Sequence, residues 1–119
     1  MQNYSIVTVG SETFYECLRE QSTEYNLNKL DSFKQVNNLF KTYNVQDGFV
    51  FLFFLDELEK IKKNEVKKIM FPKIFLSSDL KNFKDYKKDN LFSTFLQLPI
   101  NYVDLEKIIK LSILKFKFH

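Results

Sequence analysis

Residue types that could carry catalysis are scarce in this chain. The only histidine is His119, the last residue, and the only cysteine is Cys17, which argues against imidazole catalysis, an internal disulfide and a cysteine-based metal site. The two glycines, Gly10 and Gly48, are too few for a glycine-rich phosphate-binding loop. The remaining candidates are carboxylates and hydroxyls, and Asp56 is the carboxylate that directly follows a long apolar run.

That apolar run covers residues 49–55 and predicts the central element of the fold. It is apolar at every position and rich in phenylalanine, which is typical of a strand buried on both faces, and it is too short to cross a bilayer. Strands covered on both faces belong to parallel sheets, where ligands and reaction centres lie beyond the carboxyl ends of the strands. Here the end of the strand is apolar, which is unfavourable for chemistry.

Further strands are predicted at residues 4–9, 25–30, 72–77 and 92–98, and a helix is predicted after every strand. The helix starts are predicted from capping residues, namely Ser11, Ser32 with Gln35 in a capping box, Asp56, Ser78 or Asp79, and Asn101. The inward positions of these helices are Phe14, Leu18 and Gln21; Phe33, Val36, Leu39, Phe40 and Tyr43; Leu58 and Ile61; Leu80, Phe83 and Tyr86; and Leu105, Ile108, Ile109 and Ser112. This alternation predicts a doubly wound α/β fold, a five-stranded parallel sheet with helices on both faces.

Length and charge are those of one small globular domain. The chain has 119 residues, is 45% hydrophobic and carries a net charge of +3. Its basic residues alternate with acidic ones in residues 60–68 and 81–89, which is typical of solvated helix faces. The sequence has no leader pattern and no apolar stretch of transmembrane length, so we expect a soluble cytoplasmic protein. A small nucleic-acid-binding module using Lys67 and Lys68 is the least favoured alternative.

Three segments resemble the receiver domains of bacterial two-component response regulators. Asp47-Gly-Phe-Val-Phe-Leu-Phe53 resembles the strand that leads to the family's phosphoacceptor aspartate, and Ile74-Phe-Leu-Ser-Ser78 resembles the strand that ends in a threonine or serine. Residues 96–108 resemble the family's lysine–proline pair and the acidic helix that follows it. The resemblance covers nearly the whole chain and implies a flavodoxin-like (βα)5 fold with strand order 2-1-3-4-5, in a single domain over residues 1–119.

The resemblance also implies a phosphorylation site from which most functional residues are missing. A receiver needs an aspartate nucleophile, an acidic pair that holds Mg²⁺, a lysine that pairs with phosphate and a hydroxyl that hydrogen-bonds it. The corresponding residues here are Leu52 or Phe53 for the nucleophile, Gly10 and Ser11 for the acidic pair, Leu98 for the lysine and Ser77 for the hydroxyl. Only Ser77 keeps the required chemistry, and Glu12 is the one carboxylate beside the acidic-pair position. Pro99 resembles the proline that follows a cis peptide in the family.

One alternative keeps phosphorylation, with Asp56 as the phosphoacceptor, Glu12 and Ser77 as companions and Mg²⁺ as cofactor. Asp56 lies too far beyond Asp47 for the family spacing, and Leu98 cannot pair with phosphate. We therefore interpret Asp56 as the start of the third helix, where a carboxylate interacts favourably with the helix dipole.

The predicted function is that of a degenerate receiver without enzymatic activity, cofactor or metal. It would act through contacts with a protein partner or with its own output domain, and the chain is either a stand-alone adaptor or the excised N-terminal part of a longer regulator. The resemblance implies a homodimer through the face of the fourth helix, fifth strand and fifth helix, with Phe83, Tyr86, Phe95 and Tyr102 as interface candidates. No membrane contact is expected, and nucleic acid would be bound only by an output domain.

Overall fold

A computed structural model describes residues 4–21, 25–36, 38–39, 48–58, 63–86 and 92–118. Five parallel strands form one sheet in the order β2-β1-β3-β4-β5. The strands are β1 (Tyr4–Val9), β2 (Asn26–Leu30), β3 (Gly48–Phe54), β4 (Lys73–Ser77) and β5 (Ser93–Gln97). The predicted doubly wound sheet and its strand order are confirmed, and β2 lies at one edge.

The central strand β3 is buried along its whole length. Its alternate side chains enter two separate hydrophobic clusters, one on each face of the sheet. Phe49, Phe51 and Phe53 belong to one cluster, and Val50, Leu52 and Phe54 belong to the other. Burial of both faces is therefore the physical reason for an apolar residue at every position of the strand.

The helices are fewer than the predicted five in the part of the chain that the structure describes. The α-helices are α1 (Glu12–Gln21), α2 (Lys63–Lys67) and α3 (Tyr102–Lys117). The second predicted helix opens with a first 3₁₀ turn (Phe33–Gln35), after which Val36, Asn38 and Leu39 are helical. In place of the fourth predicted helix there is a second 3₁₀ turn (Leu80–Phe83). The long α1 and α3 cover one face of the sheet, and the shorter segments cover the other.

Side-chain caps fix where these elements begin. Ser11 Oγ accepts from the backbone N–H of Phe14, and Asn101 Oδ1 accepts from that of Asp104, as predicted for N-caps. At the first 3₁₀ turn, Gln35 Oε1 accepts from the backbone N–H groups of Asp31 and Ser32, which is the predicted capping contact. At the second, the cap is Asp79, whose carboxylate accepts from the backbone N–H of Lys81.

The predicted third helix is wrong at its start. Residues 55–58 form a turn, and the next described helix is α2 (Lys63–Lys67). Asp56 therefore lies in a turn, and its carboxylate is bonded to Ser77 at the end of β4 and to Ser78 after it. In α1, Gln21 is exposed, whereas Phe14 and Leu18 pack inward as predicted. Leu80 is 57% exposed, so the prediction that it faces inward is wrong. The predictions for Phe40, Tyr43 and Ile61, and that for the side chain of Phe33, fall outside the described residues.

A lysine is buried at the start of β4. Lys73 is 1% exposed, and its Nζ donates to the backbone carbonyls of Ile69 at 2.6 Å and Phe71 at 3.4 Å. These bonds tie the amine to the connection between α2 and β4. Because burial disfavours the charged amine, it lowers the pKa of Lys73 from 10.5 to about 8.

This burial predicts a specific pH dependence of stability. Between pH 8 and 10.5 the unfolded chain binds a proton at Lys73 that the folded chain has lost, so the free energy of unfolding should rise with pH. We expect this rise to be missing in Lys73→Met when both proteins are unfolded with urea across that range. Lys68→Met removes an exposed lysine and should keep the rise. Parallel pH profiles of parent and Lys73→Met would contradict the assignment.

Candidate functional site

The residues predicted to form a site are placed at or near the carboxyl edge of the sheet. Because all strands are parallel, their carboxyl ends meet at one edge. Gly10 follows β1, Asp56 lies shortly after β3, Ser77 ends β4 and Leu98 follows β5. The topology therefore brings these positions together.

The two residues in the nucleophile position are core residues. Phe53 is 0% exposed, and its ring centroid lies 5.9 Å from that of Phe51 and 5.3 Å from that of Phe75. Leu52 is buried on the opposite face. The strand continues past both residues, since the backbone N–H of Leu55 donates to Leu76 O at 2.9 Å. Neither residue reaches the solvent, and neither has a group that accepts phosphate.

The apolar side chain of Leu58 packs against Gly10, one of the two residues that correspond to the acidic pair. Gly10 has a φ of +107°, and a Cβ there would be 2.7 Å from Leu58 Cγ. A side chain at this position would thus collide with Leu58 and strain the backbone. Ser11 is buried as the α1 cap, and Glu12 pairs with Lys29 at 3.2 Å. In this structure Glu12 is thus paired with a residue of β2.

The polar centre of the edge is the carboxylate of Asp56. Its Oδ1 accepts from Ser77 Oγ at 2.5 Å and from Asn82 Nδ2 at 3.2 Å. Its Oδ2 accepts from the backbone N–H of Ser78 at 2.9 Å and from Ser78 Oγ at 2.7 Å. A carboxylate has about four lone-pair positions, and these donors use all of them. Asn82 also donates to Ser77 Oγ at 2.9 Å, which closes the network.

The network keeps Asp56 ionised. Partial burial raises the pKa of Asp56, but the hydrogen bonds from Ser77, Ser78 and Asn82 lower it more, so the pKa lies below its ordinary value of 3.8. All these donors are neutral, and among the described residues no cation contributes to the shift. Within the described residues, no three His, Cys, Asp or Glu side chains are grouped closely enough to hold a metal ion.

Sequence reasoning missed the roles of Ser78 and Asn82. Ser78 directly follows β4, and Asn82 comes four residues later. The signal that could have indicated them was a pair of serines at a strand end with an amide shortly after it. Gln97 at the end of β5 adds a contact, since its Nε2 donates to Ser78 O at 3.3 Å. The neighbouring Leu98 supplies only a backbone bond, from its N–H to Ser77 O at 2.9 Å. The Leu98–Pro99 peptide is cis, as the resemblance implies.

The predicted interface residues divide into two groups. Phe83 and Tyr86 are 1% and 5% exposed and belong to the hydrophobic core, which leaves little of either side chain on the surface. Helical periodicity identified their inward direction correctly and did not indicate how deeply they lie. Phe95 is partly buried and stacks on Phe75 at 5.2 Å. Tyr102 is partly buried and donates its hydroxyl to Glu106 at 2.9 Å.

The Asp56 network makes a stability prediction. Asp56→Ala removes the acceptor of Ser77, Ser78 and Asn82; water can replace it at the exposed Ser78 and Asn82 but less readily at the buried Ser77, so the free energy of unfolding should fall by about 1 kcal/mol at neutral pH. Because its pKa is depressed, Asp56 contributes stability above pH 3.8 and loses it in more acidic solution, so the difference between parent and variant should shrink there. Asp56→Asn keeps one acceptor oxygen and should lose less.

Urea unfolding of parent, Asp56→Ala and Glu57→Gln would check this expectation. Glu57 is the exposed neighbouring carboxylate and serves as the matched control. Equal stabilities of Asp56→Ala and Glu57→Gln would show that the network does not contribute.

Comparisons with known proteins agree with the geometry at the level of the fold. The sequence matches no family model. It also matches no curated protein. Among solved structures, the chain is similar to the signal receiver domain of an HD domain-containing protein from Pseudomonas fluorescens Pf-5, with a TM-score of 0.76 over 98% of this chain and 91% of that one. The two are 14% identical, so the likeness establishes the fold alone. The chain therefore has the fold of a signal receiver domain.

Proposed function

We propose that this protein is a receiver-type signalling module that works without phosphorylation, through protein–protein contacts in the cytoplasm. The observation that carries the proposal is the apolar closure of the carboxyl edge, where Phe53 is buried and Leu58 lies on Gly10. Phosphoryl transfer to an aspartate needs a nucleophile with a free oxygen and a cation that neutralises the transferred group. These apolar side chains provide neither.

The other parts of such a site are also engaged elsewhere. Glu12 pairs with Lys29 and is turned to β2 rather than to Asp56. Leu98 brings no positive charge that could pair with phosphate. Ser77 remains, but its hydroxyl donates to Asp56 and accepts from Asn82, so it already has partners. The surviving hydroxyl is therefore explained by the network alone.

The competing function is phosphorylation of Asp56, which the structure places close to Ser77. Attack on phosphorus requires a free lone pair on one carboxylate oxygen, and the second oxygen must reach Mg²⁺. Each oxygen of Asp56 instead accepts from two neutral donors. Phosphorylation would need the network to open and a divalent cation to bind with one carboxylate, which is a poor ligand set.

A module without phosphorylation needs another source of regulation. A partner that binds one conformation better than another, or a change in its concentration, can shift a signalling equilibrium without covalent chemistry. The partner is either a separate protein or an output domain of the same regulator. Dimerisation through the face of the second 3₁₀ turn, β5 and α3 stays a prediction. None of the helices in the described part of the chain has the length and hydropathy that a bilayer crossing requires.

Phosphorylation is tested with acetyl phosphate and Mg²⁺, and with beryllofluoride as the phosphate mimic. We expect intact-mass spectra with no added phosphoryl group, and backbone amide NMR spectra that do not change with beryllofluoride. Asp56→Asn should behave as the parent does, and a receiver with a complete site serves as the positive control. Saturable adduct formation that Asp56→Asn abolishes would overturn the proposal in favour of the competing function.

A further inference from the structure

The longest helix of the protein has a second apolar face. Helix α3 buries Leu105, Ile109 and Ile113 against the sheet. On its solvent side Val103 is 62% exposed, Leu111 56%, Leu114 42% and Phe118, the C-cap residue, 80%. Successive residues in an α-helix are about 100° apart, so these side chains fall on one stripe opposite the buried face. We call this set, with Lys107, the outer stripe; it is about 22 Å long.

Lysines accompany the outer stripe. Lys107 lies one turn from Val103 and one turn from Leu111, in the middle of the stripe. Lys115 and Lys117 lie beside its C-terminal half. In the described part of the chain, no ion pair joins any of these three lysines to a carboxylate. The outer stripe therefore combines exposed apolar surface with uncompensated positive charge.

The acidic residues of α3 do not offset this charge. Asp104 accepts from the Asn101 side chain at 3.0 Å, at the N-terminal end of the helix. Glu106 pairs with Lys110 at 3.4 Å and accepts from the Tyr102 hydroxyl. Both carboxylates are thus held by neighbours on α3, away from the C-terminal half of the stripe.

We propose that the outer stripe binds an acidic amphipathic helix of a partner protein, helix against helix. Apolar side chains of such a partner would cover Val103, Leu111 and Leu114, and a carboxylate at the centre of its face would meet Lys107. Helix pairs bind through apolar anchors at this spacing, and flanking charges of opposite sign select the partner and its orientation. The inference names the partner chemistry for the proposed role in protein contacts, and it rests on that role.

Charge and shape favour this occupant over two others. A second copy of α3 would bring like charges together, since an antiparallel pair centred on Leu111 places Lys107 opposite Lys115. A membrane surface suits a wide apolar face that sinks into the lipid. Here the stripe is narrow, it carries Lys107 at its centre, and the other side of α3 is fixed to the sheet.

The test uses the full chain and a labelled synthetic peptide of about five helical turns. The peptide carries a leucine stripe flanked by glutamates, and a matched peptide has lysines in place of the glutamates. Fluorescence anisotropy should show saturable binding of the acidic peptide that weakens with added salt, and no binding of the basic one. Equal binding of both peptides would overturn the charge selection.

Substitutions of exposed residues, each with a matched control, test whether the acidic peptide binds at the outer stripe. Leu111→Ser should weaken binding of the acidic peptide by about tenfold or more, whereas Leu80→Ser should not, although Leu80 is 57% exposed against 56% for Leu111. Lys107→Glu should weaken it similarly, and Lys68→Glu should leave it unchanged. All these residues are exposed, so circular dichroism melting should confirm that the variants remain folded.

Other outcomes would overturn the inference. Equal binding to the parent and to Leu111→Ser would place the peptide elsewhere. The outer stripe would instead be a lipid-binding surface if the parent cosedimented with phosphatidylserine vesicles without binding the peptide, and if Leu111→Ser no longer cosedimented. A dimer in sedimentation velocity that Leu111→Ser dissociates would assign it to a second copy. The phosphorylation assay involves Asp56 and not α3, so failure of peptide binding and failure of the proposed function are separately visible.

Discussion

Burial of β3 on both faces constrains the rest of the structure. Each side chain of this strand enters one of the two hydrophobic clusters, so a polar residue within it would lose its hydration without gaining partners. At Phe53 the neighbours are the rings of Phe51 and Phe75, which offer no hydrogen bond to a carboxylate. The strand can therefore present an ionised group only after it ends, and that group is Asp56.

The turn that follows β3 covers the carboxyl edge in two ways. On one side Asp56 joins β3 to the residues after β4, through donors of Ser77 and Ser78. On the other side Leu58 reaches back to Gly10 at the end of β1. Only glycine fits there, because the backbone has a positive φ and a Cβ would collide with Leu58. One short turn thus links three strand ends at the edge of the sheet where parallel α/β folds bind ligands.

Sequence patterns predicted the elements that depend on local chemistry. The apolar run of β3, the caps Ser11 and Asn101, and the Gln35 contact to Ser32 all follow from neighbouring residues, and the structure contains each of them. The role of Asp56 did not follow, because its partners Ser77 and Asn82 are 21 and 26 residues away. The acidic segment after β3 contains helix-forming residues, so the sequence suggested that Asp56 begins a helix. In the structure, hydrogen bonds to residues distant in the sequence outweigh that local preference.

The local sequence pattern also did not predict how deeply Phe83 and Tyr86 are buried. The spacing of Phe83 and Tyr86 indicates one inward face, but a core residue and an interface residue share that spacing. The distinction depends on β5, whose Phe95 lies over Phe83 at 5.5 Å between ring centroids. The same limit applies to α3, where periodicity identifies the face packed on the sheet and gives no reason for the second apolar face opposite it.

The hydrogen bonds at the carboxyl edge bear on how α3 would bind the partner helix proposed above. β5 is held to β4 at its end by the bond from Leu98 N–H to Ser77 O, and by that from Gln97 to Ser78 O. Asn101 then caps α3 only a few residues later, so the helix begins from a fixed point. A partner that binds such a preorganised helix does not have to order it, and less of the interaction energy is lost to conformational entropy. The same network that leaves Asp56 without free lone pairs therefore also holds α3 in a defined orientation for recognition.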